Sequence, residues 1–126
     1  MSTPLTYDYA IVRVVPRVER GEFINVGVIL SCAPAKYLRA MIHLHEEKIL
    51  ALDPRADLES IRATIAAIPL ICAGGAEAGD LGKLSRGERF HWLVAPRSSS
   101  VQTSPVHTGR CSDLDKALEK IFAKMV

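Results

Sequence analysis

No apolar run in this chain approaches the roughly 20 residues that a helix needs to cross a bilayer, and Met1 to Asp8 lacks the basic-then-apolar layout of a secretory signal. Both absences point to a cytoplasmic protein with no membrane role. Cysteine is scarce and odd in number: Cys32, Cys72 and Cys111 show no C-x-x-C spacing, which argues against a disulfide framework and against a structural zinc site. Reduced, packed thiols are the expectation. Glycine is present, but Gly74, Gly75 and Gly79 are not followed by the Gly-Lys-Ser/Thr ending of a phosphate loop. No motif implies a cofactor. Nor is there much excess charge: a net +2 is too little to drive unspecific nucleic-acid binding, which depends on many neutralised phosphates. With 126 residues the chain fits one domain, 1–126, that buries roughly two thirds of its unfolded surface.

What positive charge there is collects in one place. Lys83, Arg86, Arg89, Arg97 and Arg110 face the single acid Glu88 between positions 83 and 110, whereas acids match or outnumber bases on either side. The same segment carries Ser98, Ser99, Ser100, Gln102, Thr103, Ser104, His107 and Thr108. Cations beside hydroxyl and amide groups, with few core anchors, suit an anion-recognising surface. This concentration leaves nucleic acid an open question that the net charge alone would have closed.

The pattern along the chain predicts an α+β fold: an antiparallel, meander-type sheet of four to five strands with a central and a C-terminal amphipathic helix packed on it. Tyr7 to Val15 is apolar on both faces and reads as a central strand closed by Pro16. Phe23 to Cys32 follows after a short turn, with Ile24, Val26, Val28 and Leu30 expected on one face and Gly27 marking a bulge or a close backbone approach. Leu38, Ala40, Ile42 and Leu44 alternate with polar positions as a third strand. Asp53-Pro54 has the form of a helix start, and Leu58, Ile61, Ile65 and Ile68 give that helix a buried stripe that Pro69 stops or kinks. Arg89 to Ala95 is a fourth strand candidate. Ser112 with Asp115 resembles a capping box for a final helix built on Leu114, Leu118, Ile121 and Phe122.

Three sets of residues bear on chemistry. His43, His45 and Glu47 share a ligand-like spacing, but H-x-H on an open strand usually marks solvated surface, and no metal is predicted. The serine run with His91 or His107 lacks a nucleophile-elbow pattern and reads as a polar loop. Arg13 is the more pointed case, since a guanidinium in an apolar strand is costly without a partner. Either Glu22 in the next strand pairs with it, or an anionic ligand does. Convergence of Arg13, Arg86 and Arg97 would suit a phosphate or carboxylate through their planar forks.

Three stretches together, Y-D-Y-A-I-V-R-V-V-P-R (Tyr7 to Arg17), G-E-F-I-N-V-G-V-I-L (Gly21 to Leu30) and W-L-V-A-P-R-S-S-S-V-Q-T-S-P-V-H-T-G (Trp92 to Gly109), resemble the bacterial domain of unknown function 3037 family across nearly the whole chain. The resemblance implies a family pattern that includes Arg13, Pro16, Glu22, Asn25, Gly27, Arg86, Pro96, Arg97, Ser98, Gln102, Ser104, His107 and Gly109. It also implies a HipA-like kinase-fold partner protein. The ligand-binding residues expected on this basis are Arg13, Glu22, Asn25, Arg86, Arg97, Ser98, Gln102, Ser104 and His107. They describe an accessory or binding module for an anionic small molecule, or for a partner's acidic group. The alternative is a hydrolase or phosphodiesterase of nucleotides or nucleic acid with His107 as general acid or base.

Overall fold

The aromatic and β-branched run at the start of the chain forms β1 (Leu5–Val14), which lies inside the sheet with a neighbour on each side. The structure, a computed structural model, describes residues 3–126. After a single helical turn at Val18–Arg20, closed by Gly21 in the left-handed region (φ 71°), the chain returns as β2 (Ile24–Cys32) and then as β3 (Tyr37–Ile42). These three strands form the predicted meander, β1 against β2 and β2 against β3, both antiparallel. The fourth and fifth strands arrive only after the central helices. β4 (Val101–Thr103) and β5 (His107–Cys111) lie along the other side of β1, β4 against its second half and β5 against its first. The fold is α+β with a five-stranded antiparallel sheet.

Ser104 explains how two short strands share one edge. Its backbone N–H donates to Ile11 O and its hydroxyl accepts from Ile11 N–H at 2.9 Å, so the side chain stands in for the backbone where the ladder changes from β4 to β5. The residue is 3% exposed, and its hydroxyl also donates to Pro105 O.

The pairing of β1 with β2 contains a bulge. Val12 faces Gly27 and Arg13 faces Asn25, which leaves Val26 as an extra residue. Val26 and Ile29 therefore both enter the larger core, with Val12 and Val14, while Val28 and Leu30 enter the smaller core on the other side. The expected common face for Ile24, Val26, Val28 and Leu30 is split at this point. Gly27 also meets the close approach expected of it, since a Cβ there would lie 2.8 Å from Met41 O on β3.

Four helices cover the sheet. α1 (Glu46–Leu52) occupies the stretch between the third strand and the expected helix start, and Asp53, expected to start a helix, instead ends this one: its N–H donates to Ile49 O and its carboxylate accepts from Arg55 N–H. α2 (Leu58–Ala73) begins at Asp57, whose carboxylate accepts from Ser60 N–H. Pro69 does not stop it; its ring lies on the exposed side of the helix, and the helix runs on to Ala73. Two short turns at Ala76–Lys83, meeting at Gly79, lead to α3 (Arg86–Val94). This helix replaces the fourth strand expected at Arg89 to Ala95. It starts at a capping box in which Ser85 and Glu88 exchange side-chain and backbone bonds. α4 (Leu114–Met125) is capped by Asp113, one residue later than expected, which frees Asp115 to accept from Tyr37 Oη and Arg39 Nη1 on β3.

The larger core, with Ile61, Ile65, Ile68, Phe90 and Leu93 from α2 and α3, fills one side of the sheet. Leu114 and Leu118 of α4 pack on the other side against Val28, Leu30 and Cys32. Each fully buried aliphatic side chain of this kind contributes about 1.5–3 kcal/mol. Among the described residues, no single helix is long and apolar enough to cross a membrane.

Candidate functional site

Strand pairing alone brings three of the predicted ligand residues into a row. Asn25 on β2 and Gln102 on β4 both lie opposite Arg13 on β1, so the register sets the three side by side across adjacent strands, with Gln102 at the edge, where it also lines the cleft beside Arg97. Asn25 lies on the α4 face, because its amide nitrogen donates to Met125 O at the end of that helix (3.1 Å). The Arg13 guanidinium stacks on Phe23, 4.1 Å from the ring centre, a geometry that orders the planar fork without using its hydrogen-bond donors. Among the described residues, the buried Nε of Arg13 and the buried Oδ1 of Asn25 have no hydrogen-bond partner. Glu22 does not fill the first vacancy. Its carboxylate is taken by Arg20 Nε at 2.6 Å, in a pair exposed to solvent. The row therefore offers an unpaired donor, an unpaired acceptor and a net positive charge, and the Gln102 amide nitrogen is tied to Ser99 O.

The remaining predicted positions lie elsewhere. His107 sits opposite Tyr9, with ring centres 5.4 Å apart; Tyr9 precedes Arg13 by four strand positions, a separation of about 13 Å. Its neighbouring strand carboxylate, Asp8, accepts from Thr108 Oγ1 on the opposite face of the sheet. His107 thus has an aromatic neighbour and, among the described residues, no carboxylate bonded to its ring. Arg86 is exposed on the first turn of α3, and Ser98 is exposed in the loop before β4.

The family model for a protein of unknown function (DUF3037) matches residues 9–126. The chain belongs to this family. No curated protein and no solved structure matches the chain. The DUF3037 match contains the whole Arg13 row and His107.

Arg97, the most prominent cation of the basic segment, faces away from Arg13. It donates to the carbonyls of Trp92 and Leu93 and stacks on the Trp92 ring at 4.3 Å, closing the C-terminal end of α3. Together with Ile68, Ile71 and Val101 it lines a cleft of about 270 Å³ between α2, α3 and β4, on the larger-core side of the sheet. Arg13 and Arg97 do not converge, because the sheet separates them. Arg89 also serves structure: it is 7% exposed and donates to the carbonyls of Ile71, Cys72 and Leu84.

Among the described residues no group of three metal-ligating side chains comes together. His43 and His45 stand edge to face, 4.4 Å apart, just beyond the end of β3. Desolvation, helped by Lys48 and His43, lowers the His45 pKa and favours a neutral ring. Two parts of the row were missed in the sequence, Phe23 under Arg13 and the Met125 carbonyl on Asn25. Phe23 was within reach, two residues before Asn25, but Gly27 signals a bulge or a close approach without saying which residue is the extra one, and that decides the face of Phe23.

Proposed function

We propose that this DUF3037 protein is a binding module that recognises an anionic group, a carboxylate or a phosphate, at the Arg13, Asn25 and Gln102 row. One observation carries the proposal: Arg13 Nε and Asn25 Oδ1 occupy paired strand positions, are both buried, and both lack partners among the described residues. A buried donor left without an acceptor costs about 1–3 kcal/mol. An anionic oxygen placed against Arg13 would recover that cost through a charge-assisted bond. The free Asn25 oxygen asks in addition for a donor, such as the hydroxyl of a singly protonated phosphate or a hydroxyl beside a carboxylate. A small molecule can bring such a group, and so can an acidic loop on a kinase-fold partner. Binding is favoured over hydrolysis because the candidate acid-base residue, His107, is about 13 Å along the sheet from the charge that would stabilise a reacting group.

Thermal shift tests this with inorganic phosphate, nucleoside monophosphates, a hydroxycarboxylate and an acidic peptide. A ligand at a hundredfold its Kd adds about 2.7 kcal/mol of stability, several degrees for a chain of this size. Arg13→Met should abolish the shift and Asn25→Asp should reduce it, since it sets a negative charge against an anion. The proposal fails if no compound raises the midpoint, or if Arg13→Met responds as the parent does.

A further inference from the structure

α4 packs on β2 and β3 and leaves part of the neighbouring face of β1 and β5 open: Ile11 is buried in the same core, and Tyr7 and Tyr9 are half-buried against it. Its direction follows from its two attachments. Asp115 at its start bonds Tyr37, which pairs with Cys32 at the Tyr7 end of the sheet, and Met125 at its end bonds Asn25, which pairs with Arg13. The helix therefore runs beside β1 in the same direction. Lys116, Lys120 and Lys124 recur every fourth residue along it, about 6 Å apart, on the flank that borders the open face.

Between this flank and β5 lies a groove of about 460 Å³, with Tyr7, Cys111, Ala117 and Ile121 as its apolar part and Arg110 across from the lysines. Asp113 is the one acid in its lining, and its carboxylate accepts the Lys116 backbone N–H. Among the described residues, none of the four cations has a carboxylate within ion-pair distance. Three rings continue the groove along the open face. Tyr7 and Tyr9 are 5.9 Å apart, and Tyr9 and His107 are 5.4 Å apart. Tyr7 can lie against β5 because its neighbour is Gly109, where a Cβ would come within 2.5 Å of the ring.

A stripe of lysines by itself is ordinary solvated surface. Here the stripe borders a row of rings and an apolar floor, the combination that holds single strands, with phosphates on cations and bases on rings. We propose that this groove binds a short stretch of single-stranded nucleic acid, with its phosphates along Lys116, Lys120 and Lys124 and its bases against Tyr7, Tyr9 and His107. A duplex, with its bases turned inward, has nothing to offer the rings. The inference is independent of the Arg13 proposal, and different residues test it.

Fluorescence anisotropy with labelled ten-residue oligo(dT) and oligo(U), titrated at several salt concentrations, measures the binding. The parent should bind at least one of the two, more weakly as salt rises, and the pair separates DNA from RNA preference. The triple variant Lys116→Ala, Lys120→Ala, Lys124→Ala should lose at least tenfold in affinity. It should also flatten the logarithmic salt dependence by about 2, since each phosphate contact on a single strand contributes about 0.7. Tyr7→Leu should weaken binding about tenfold with the salt slope unchanged, and Tyr7→Phe should retain it. A control triple on the opposite side of the sheet, Lys48→Ala, Arg55→Ala and Lys83→Ala, should change little. If Tyr7→Leu does not fold, the lysine triple decides alone, because alanine is at home on an exposed helix surface. The proposal is overturned if neither oligomer binds at low salt, or if the two triples behave alike. Displacement by polyglutamate of equal charge, as effective as unlabelled oligomer, would also overturn it and assign the groove to an acidic protein segment.

Discussion

Arg89 is the residue whose loss should cost this protein most, although it touches no candidate ligand. It is buried, its Nη1 donates to Ile71 O at 2.8 Å and Cys72 O at 2.6 Å, and its Nε donates to Leu84 O at 3.2 Å. No carboxylate among the described residues pairs with it, so its charge is balanced by the carbonyl end of α2. Arg89→Met keeps much of the aliphatic packing and removes all of these bonds. A hydrogen bond to a charged group is worth about 1.5–3 kcal/mol, and each buried carbonyl left unmet costs about 1–3 kcal/mol. Allowing for one carbonyl reached by water, the net loss should be about 3–5 kcal/mol. That is a large share of the 5–15 kcal/mol typical of a domain. Urea unfolding followed by circular dichroism at pH 7 should show a midpoint lowered by about 2 M with the slope preserved. Arg89→Lys should recover about half of the loss, since one ammonium cannot span three carbonyls. Gly74→Ala provides an independent check, because a Cβ there would sit 2.8 Å from Arg89 Nη1 and the backbone (φ 75°, ψ −173°) is one that only glycine adopts readily. The two changes should combine less than additively. A midpoint shift below about 0.5 M for Arg89→Met would refute this account of how α2 ends.

Three further outcomes follow from packing and titration. Gly109→Ala should lower the thermal midpoint, at a cost of about 1–3 kcal/mol, because the new methyl group meets the Tyr7 ring; in a Tyr7→Ala background the penalty should largely vanish. Burial pushes the Cys72 thiol up to about 12, so a thiol reagent at pH 8, followed by mass spectrometry, should label half-buried Cys111 first and reach Cys72 and Cys32 only on unfolding. Equal rates at Cys111 and Cys72 would contradict the packing. The lowered pKa of His45 means that the unfolded chain, titrating near 6.5, binds more protons than the folded one below that pH. Stability should therefore fall as pH drops from about 7 toward 5, and His45→Gln should flatten that fall in paired denaturation curves.

Strands with long apolar runs were legible from the sequence, because β1, β2 and β3 combine β-branched residues with turns that fix their pairing. The last helix was legible for a similar reason, through its Leu114, Leu118, Ile121 and Phe122 stripe. Arg89 to Ala95 was not, since seven residues mixing Phe, Trp, Leu and Val suit either period; the Ser85 and Glu88 capping signature was the missed signal. Asp53-Pro54 misled because a carboxylate before proline serves a turn after a helix as readily as a helix start. Within the candidate site, Arg13, Asn25 and Gln102 could be picked out singly in the sequence, yet their adjacency depends on strand register. Arg97 could not be separated from them in sequence, because a cation just past a helix of unrecognised type looks like a free one.

The extra residue at Val26 acts as a phase reset. Counting by twos back from Val28 would send Val26 toward α4 and bury Asn25 among the aliphatics of the larger core; the bulge puts Val26 inside and returns Asn25 to the Arg13 side. Copying this hairpin into a regular sheet would therefore turn Asn25 and Phe23 inside out, even with every side chain retained. A designer must either carry the bulge with Val26 or leave Val26 out, because only those two counts keep Asn25 and Phe23 on the Arg13 side.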